Sequence, residues 1–286
     1  GAYLRIRGKV SLNEPGPLVV IDGIVRNDDY GSINPEEVEN ISVLKDAAAT
    51  AAYGARAAGG VILITTKRGK VGKPVMTYNG FTGTESPTKY PRLMDPYTYA
   101  ITRNQAALNA GYDPGNPTQA SRFYSPQQLA DFKSGKVGTD WWQENFSGKG
   151  ALSQHNIAVR GGSEQIRYFA VLGYVNQQGL WDAYNYKRFN LRSNVDAKIN
   201  ATLNIGLNLE ARRSITKAAG LDAYTIFEHT VQTPPTLAAY TPNGRYNDLM
   251  VPHPIADITQ SGSNKQQDEI FQGTLFFEQQ LPFITE

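Results

Sequence analysis

Between Lys187 and Arg212 the chain alternates with a period of two. One set reads Phe189, Leu191, Ser193, Val195, Ala197, Ile199, and the interleaved set reads Arg188, Asn190, Arg192, Asn194, Asp196, Lys198, Asn200. After a tight turn at Asn200-Ala201-Thr202, Leu203, Ile205, Leu207, Leu209 and Ala211 alternate with Asn204, Gly206, Asn208, Glu210 and Arg212. Successive side chains of a strand point to opposite faces, so this is a hairpin with one apolar and one strongly charged face. Each strand is about ten residues long, close to the ~9–11 that cross a bilayer and well above the ordinary ~5–6. A soluble sandwich also alternates, its apolar face meeting a second sheet. Length favours a transmembrane barrel wall.

Further strands are placed at Val75–Thr84, Leu152–Arg160, Ile166–Val175 and Glu269–Gln280. In Ile166–Val175 both faces carry apolar residues, so something is expected to cover its inner face. Short connections fall at Gly161 to Glu164, at Asn200 to Thr202 and from Pro282 onward. Long ones run over about 85–150, from Asn176 to Tyr186, and over about 214–266. Outer-membrane barrels show this asymmetry, with short periplasmic turns and longer extracellular loops.

Composition agrees with this reading and closes off others. Hydrophobic content of 40%, with 16 Tyr, 11 Phe and 27 Gly, leans toward β structure. No apolar run reaches the ~18 residues of a spanning helix, which leaves barrel strands untouched. The absence of cysteine excludes disulfide scaffolds, thiol nucleophiles and cysteine metal sites. A net charge of +2 without a basic cluster gives no indication of nucleic acid. His155, His229 and His253 have no motif around them, and neither G-x-S-x-G nor H-E-x-x-H occurs. No enzyme, cofactor or metal site is expected.

The first 73 residues read differently. Leu4 to Gly8 and Leu18 to Gly23 suit short strands. Asn34-Pro35-Glu36-Glu37 is a helix start, with an N-cap Asn, Pro in the first turn and a carboxylate three residues on to reach back. Ile41 and Val43, alternating with Asn40 and Ser42, suit a strand as well as a helix. Asp46 is placed to cap a small alanine helix ending at Tyr53-Gly54, where Gly permits a left-handed cap. Gly59-Gly60 opens the β-branched strand Val61 to Thr66, and Arg68 to Pro74 is a Gly/Lys/Pro connector. The result is a compact mixed sheet with tiny helices.

The block NPEEVENISVLKDAAATAAYGARAAGGVILITTK, from Asn34 to Lys67, resembles the plug domain of TonB-dependent outer-membrane transporters. RIRG and VVIDG precede it at the spacing the plug shows. Its wording, with HNIAVRGGSEQIRYFAVLGYVNQQG (His155 to Gly179) and YKRFNLRSNVDAKI (Tyr186 to Ile199), resembles the SusC-like branch. The resemblance implies a membrane β-barrel, antiparallel and 22-stranded in the parent, with a small mixed α+β plug inside. Residues 1–73 would be the C-terminal part of the plug, and 74–286 the first six or so barrel strands. Six strands cannot close, since the smallest bacterial single-chain barrel has eight, and an open edge would leave roughly ten backbone groups in lipid. The chain is therefore expected to be a fragment. No signal peptide opens it, so its numbering is expected to begin inside a longer polypeptide.

The resemblance also implies a function. It points to TonB-dependent import of an oligosaccharide or peptide across the outer membrane of a Gram-negative bacterium of the Bacteroidota. The implied partners are the TonB complex, whose contact region is absent from this sequence, a SusD-like surface lipoprotein, the bilayer and the substrate. A siderophore or cobalamin receptor is one alternative. A soluble β-rich binding or adhesive domain is another, of a different class. By resemblance, the loop after Val20 to Gly23 lies at the apical face of the plug, where Arg26, Asn27, Asp28, Asp29 and Tyr30 are substrate-contact candidates. A solvated polar turn explains them equally well, and a calcium loop does not, because the D-x-[DN]-x-[DN]-G spacing is not met. Tyr124, Trp141, Trp142, Trp181 and Tyr184 are the loop aromatic candidates for stacking on sugars or meeting a lid. A bilayer girdle or plain loop packing is the favoured reading of each one singly.

Overall fold

The computed structural model describes residues 6, 16–26, 33–46, 51–89, 91–146 and 148–281. They form two sheets. The small one is four-stranded in the order β2-β1-β4-β3, from β1 (Leu18–Ile21), β2 (Ile24–Arg26), β3 (Val38–Leu44) and β4 (Val61–Thr66). β1 and β4 pair in parallel at its centre, and β2 and β3 flank them antiparallel. The central pair is buried on both faces, which explains why LVVI and VILITT are almost continuously apolar. Leu18, Val20, Val61 and Ala57 pack on one side, and Val19, Ile21, Ile62 and Ile64 on the other. Each buried Leu, Val or Ile side chain contributes about 1.5–3 kcal/mol.

Local chemistry shapes the turns. Asp22 and Gly23 have φ of 49° and 86°, so Asp-Gly forms the two-residue hairpin that joins β1 to β2. Asn34 caps the short turn Pro35–Glu37 by accepting from Glu36 N, as the sequence suggests. The carboxylate of Glu37 does not reach back, because it is bonded to the other sheet. The alanine turn does not stop at Gly54: two pieces span Ala51–Ala57, with a kink at Gly54, whose φ is 67°. Leu4 and Arg5, and the start of the alanine helix at 47–50, lie outside the described residues.

The second sheet is a six-stranded antiparallel meander, β5 to β10 in sequential order. Its strands are β5 (Gly72–Glu85), β6 (Gly150–Gly162), β7 (Ile166–Gln178), β8 (Asn185–Lys198), β9 (Leu203–Ala219) and β10 (Ser263–Gln279). They run 13 to 17 residues, longer than the alternation alone indicates. Backbone pairing continues past the apolar stretch into segments polar on both faces. The sheet is open, with β5 and β10 at its edges.

The two faces of this sheet are inverted relative to a water-soluble protein. Arg188, Asn190, Arg192 and Asn194 on β8 are buried, with Arg192 at 2% and Asn194 at 0% exposure. Phe189 and Leu191 between them are exposed, as are Leu207, Phe271, Leu275 and Phe277. What buries the polar face is the small sheet. On β7 the same face carries Phe169, Val171 and Val175, which are buried too.

Two of the three long connections are helical, where the sequence reading has only loops; the third, expected from Asn176 to Tyr186, shrinks to the turn at 179–184 because β7 and β8 stay paired out to Gln178 and Asn185. Between β5 and β6 lie α1 (Pro96–Asn109), α2 (Pro126–Lys133) and α3 (Trp141–Phe146); between β9 and β10 lie α4 (Ala223–Gln232) and α5 (Pro254–Thr259). Asp95, Ser125, Asp222 and His253 cap four of them, and Ser125 with Gln128 forms a full capping box. All of these helices sit at one end of the strands. The short connections, and the junction from β4 to β5, are at the other.

Candidate functional site

The seam between the two sheets is the most heavily built polar feature of the described residues. At its centre the Arg192 guanidinium lies among three carboxylates. Its Nε donates to Glu37 Oε2 at 2.7 Å, its Nη2 donates to Glu210 Oε2 at 2.7 Å, and its Nη1 lies 3.7 Å from Asp22 Oδ2. Arg26 of the small sheet also donates to Glu210. Asn190 Nδ2 donates to the second Glu37 oxygen at 2.6 Å. Asp22 is fixed by Thr66, whose N and Oγ1 donate to it at 2.9 and 2.6 Å. Charge-assisted bonds of this kind are the strong ones, and Arg presents the fork that serves two acceptors at once.

The seam extends along the sheet in both directions. Asn194 Nδ2 donates to Thr66 Oγ1 and to Lys67 O, both at 2.8 Å. Arg68 pairs with Asp196 at 2.9 Å and lies 5.3 Å from the Phe276 ring centroid. Arg160 Nε donates to Arg68 O at 2.7 Å and pairs with Glu39 at 3.6 Å. Toward β5, Asn34 Nδ2 donates to Asn156 Oδ1 at 2.7 Å, and Asn79 Nδ2 donates to Glu36 at 3.0 Å.

Close approach at the Asn34 contact requires a glycine. A Cβ on Gly173 would lie 2.4 Å from Asn190 Oδ1, 2.5 Å from Asn34 Nδ2 and 2.7 Å from Asn156 Oδ1. A strand glycine often marks such an approach of a second segment. Gly173→Val is expected to lift the small sheet by about 1–3 kcal/mol of overpacking, with the Asn34–Asn156 bond lost as well. Amide exchange of Glu36 to Leu44 should then speed up roughly ten- to a hundredfold. Unchanged exchange would show that this contact does not hold the sheets together.

A seam of this composition fixes register more than it adds stability. Burying two guanidinium groups and three carboxylates costs desolvation that their mutual attraction roughly repays, whereas removing one partner strands the rest. Polar interfaces within a chain also separate more readily than apolar ones, because water can replace each contact.

The helical end carries a second, aromatic construction. Trp142 stacks on Phe146 at 4.1 Å and meets Phe227 edge-on at 5.9 Å. Phe146 contacts Trp181 at 4.9 Å, and Trp181 contacts Tyr184 at 5.1 Å. This row joins the three connections, α3 from the first, Trp181 and Tyr184 from the β7–β8 turn, and α4 from the third. Trp141 points the other way, 1% exposed among Ala239, Leu249 and Ile255, with Nε1 donating to Pro234 O at 3.0 Å. Beside it, Arg92, Asp95, Tyr99, Asp140 and Gln232 help line a cavity of about 410 Å³.

Residues 1–61 match the family model of the TonB-dependent Receptor Plug Domain. The chain is 30% identical over 277 residues to TonB-dependent receptor P3 of Formosa agariphila, covering 93% of this chain and 25% of that one. It is 33% identical over 205 residues to TonB-dependent receptor SusC of Bacteroides thetaiotaomicron, covering 68% and 18%. Among solved structures it resembles the RagAB peptide importer in its open-open state, with a TM-score of 0.67 and 27% identity over 85% of this chain and 29% of that one. The chain belongs to the SusC-like TonB-dependent receptors. It spans between 18% and 25% of the length of the curated relatives it matches.

In this SusC-like chain the residues singled out from sequence fall into three settings. Arg26 is held in the seam by Glu210, while Asn27, Asp28, Asp29 and Tyr30 lie outside the described residues. Trp141, Trp142, Trp181 and Tyr184 are joined into the packing of the helical end. Burial, then the Asp222 carboxylate, raises the Tyr184 phenol above its usual value. Tyr124 sits apart, edge-on to Phe132 at 5.5 Å with its hydroxyl 2.9 Å from Thr236 Oγ1. The sequence reading misses the Glu37–Arg192–Glu210 cluster. A faint signal for it existed, since Arg192 and Glu210 sit on the charged face of a hairpin whose other face is apolar. Among the described residues no group of three or more His, Asp or Glu is placed to hold a metal ion.

Proposed function

We propose that residues 1–73 form the C-terminal part of a plug and 74–286 the first six wall strands of an outer-membrane barrel. The complete barrel, 22-stranded by family resemblance, would import an oligosaccharide or peptide with a SusD-like lipoprotein, driven through TonB. The observation that carries this reading is the inverted sheet. Its charged face is buried against a small domain, and its apolar face is turned outward over strands long enough to cross a bilayer. The likeness to SusC and to a peptide importer supports transport over a soluble binding role.

The outer membrane holds no ATP, so energy would arrive mechanically. A pull on the plug would have to break the seam, whose bonds are polar and can be taken over by water. On this proposal the apical loop at 26–30 and the helical end, including Tyr124, Trp142 and Trp181, face arriving substrate. The test is uptake of labelled oligosaccharides and labelled peptides by cells whose only copy of the full-length receptor is present, deleted, or deprived of TonB. Uptake of one class that is lost in both depleted strains is the expected result. Uptake that persists without TonB would overturn the proposal.

A further inference from the structure

We propose that the cavity between the first and third long connections takes the amino terminus of a peptide. The inference rests on the import reading of this chain and narrows its substrate class. At about 410 Å³ the cavity falls within the range of about 300–1,000 Å³ usual for ligand pockets. Residues 92–96, 99 and 139–141 of the first connection line it together with residues 231–235 of the third.

The two connections are locked together where they meet. Thr139 N donates to Pro235 O and Thr139 Oγ1 donates to Leu237 O, both at 2.8 Å. Gly138 has a φ of 116°, and a Cβ there would lie 2.4 Å from Pro96 Cγ and 2.9 Å from Pro235 O. The cavity is therefore preformed, and a ligand need not order its walls.

Its charges suit an ammonium group. Asp95 and Asp140 both line the cavity, and both are exposed. Each uses one oxygen on its own helix: Asp95 Oδ1 accepts from Thr98 N and Asp140 Oδ1 from Gln143 N, both at 2.9 Å. Among the described residues neither has a cation within ion-pair reach, and Arg92 on the same lining has no carboxylate. An ammonium group would be held by charge-assisted bonds to the two unmatched carboxylates. No third His, Asp or Glu among the described residues joins them to hold a metal ion. Arg92 repels a second cation and presents donors to peptide carbonyl oxygens.

The rest of the lining separates a peptide from an amino sugar, which also carries an ammonium. Leu93, Met94, Val231, Pro234 and Pro235 give an apolar surface for the first side chain of a peptide. Gln232 Nε2 is bonded to Glu228, which leaves its Oε1 to accept from a peptide N–H. Trp141 also lines the cavity, but at 1% exposure it offers no ring face on which a sugar could stack.

The experiment offers the full-length receptor in detergent a mixed tetrapeptide library, the same library N-acetylated, and a glucosamine tetramer. Ligand retained after gel filtration is read by mass spectrometry. The wild type is expected to retain free-amine peptides at least about tenfold over acetylated ones. D95N/D140N is expected to bring the two within about twofold, and because Asn caps helices as well as Asp the fold is kept. D113N/D248N makes the same charge change at two exposed turns and should keep the preference. Equal retention of both libraries by the wild type overturns the inference, as does an unaltered preference in D95N/D140N. Retention of the glucosamine tetramer in place of peptides overturns the peptide assignment, and retention of none of the three overturns the site. Each of these leaves the import reading standing, and that reading fails if uptake by cells persists without TonB.

Discussion

Arg192→Ala is expected to weaken the hold of the long sheet on the small one by about 3–5 kcal/mol, the range for breaking a buried ion set from one side. Glu37 would lose its Nε donor and Glu210 one of its two guanidinium partners. Glu37 is itself buried, so among the described residues its charge would have only Asn190 left to meet it. The change should appear as a rise of roughly a hundredfold to a few thousandfold in amide exchange through Val38 to Leu44. The variant receptor should also leak ions in a planar bilayer at rest. Arg192→Lys should fall between the two, because an ammonium keeps the charge but cannot serve Glu37 and Glu210 through a fork. Glu37→Gln in the alanine background removes the stranded charge and should restore part of the loss. The resulting coupling energy is expected to be about 1–3 kcal/mol. Exchange unchanged in Arg192→Ala would show that the cluster is an ornament of a seam held elsewhere.

That cluster also marks the limit of what can be read along the chain. The hairpin from β8 to β9 is legible because its two faces meet different surroundings, and alternation records this residue by residue. β10 is legible only from Glu269 onward. Its first residues, Ser263 to Asp268, are polar on both faces, so nothing in their order distinguishes a paired strand from a loop. The helices of the long connections carry local signals, among them Asp95-Pro96, Ser125-Pro126 with Gln128, and His253-Pro254. Those signals are readable, but a reading organised around strand periodicity assigns them to loops. The seam is different in kind. Glu37 and Arg192 are 155 residues apart, and Glu37 stands where a capping-box carboxylate belongs. Local chemistry gives Glu37 a plausible partner in its own turn, and only the second sheet offers it a better one. For Asn27 to Tyr30, the sequence remains the whole basis of their assignment as substrate contacts.

Leu207→Arg should separate a membrane wall from a sheet that meets water. Leu207 is 37% exposed on the outward face, paired across the strands with Val195 and Leu275. In a bilayer it lies well inside the apolar stretch that runs from Ile205 to Ala211 on β9. An arginine near the midplane of a barrel's lipid face costs about 2–4 kcal/mol, and one near the interface about 0–1. The folding equilibrium constant of the full-length receptor, obtained by urea titration in phospholipid vesicles, should therefore fall by a factor of roughly thirty to several hundred for Leu207→Arg. Ala211→Arg should have a smaller effect. Ile215→Arg, beyond the Arg213 level, should have almost none. The ordering matters more than any single value. If the outward face met water, all three arginines would sit at exposed or half-buried surface positions and change stability by no more than about 0.5 kcal/mol. If instead a second protein sheet covered that face, the cost would follow how tightly each position is packed, with no reason to decline toward the helical end. A monotonic decline from Leu207 to Ile215 is therefore the signature of lipid, because only a bilayer grades its penalty by depth alone.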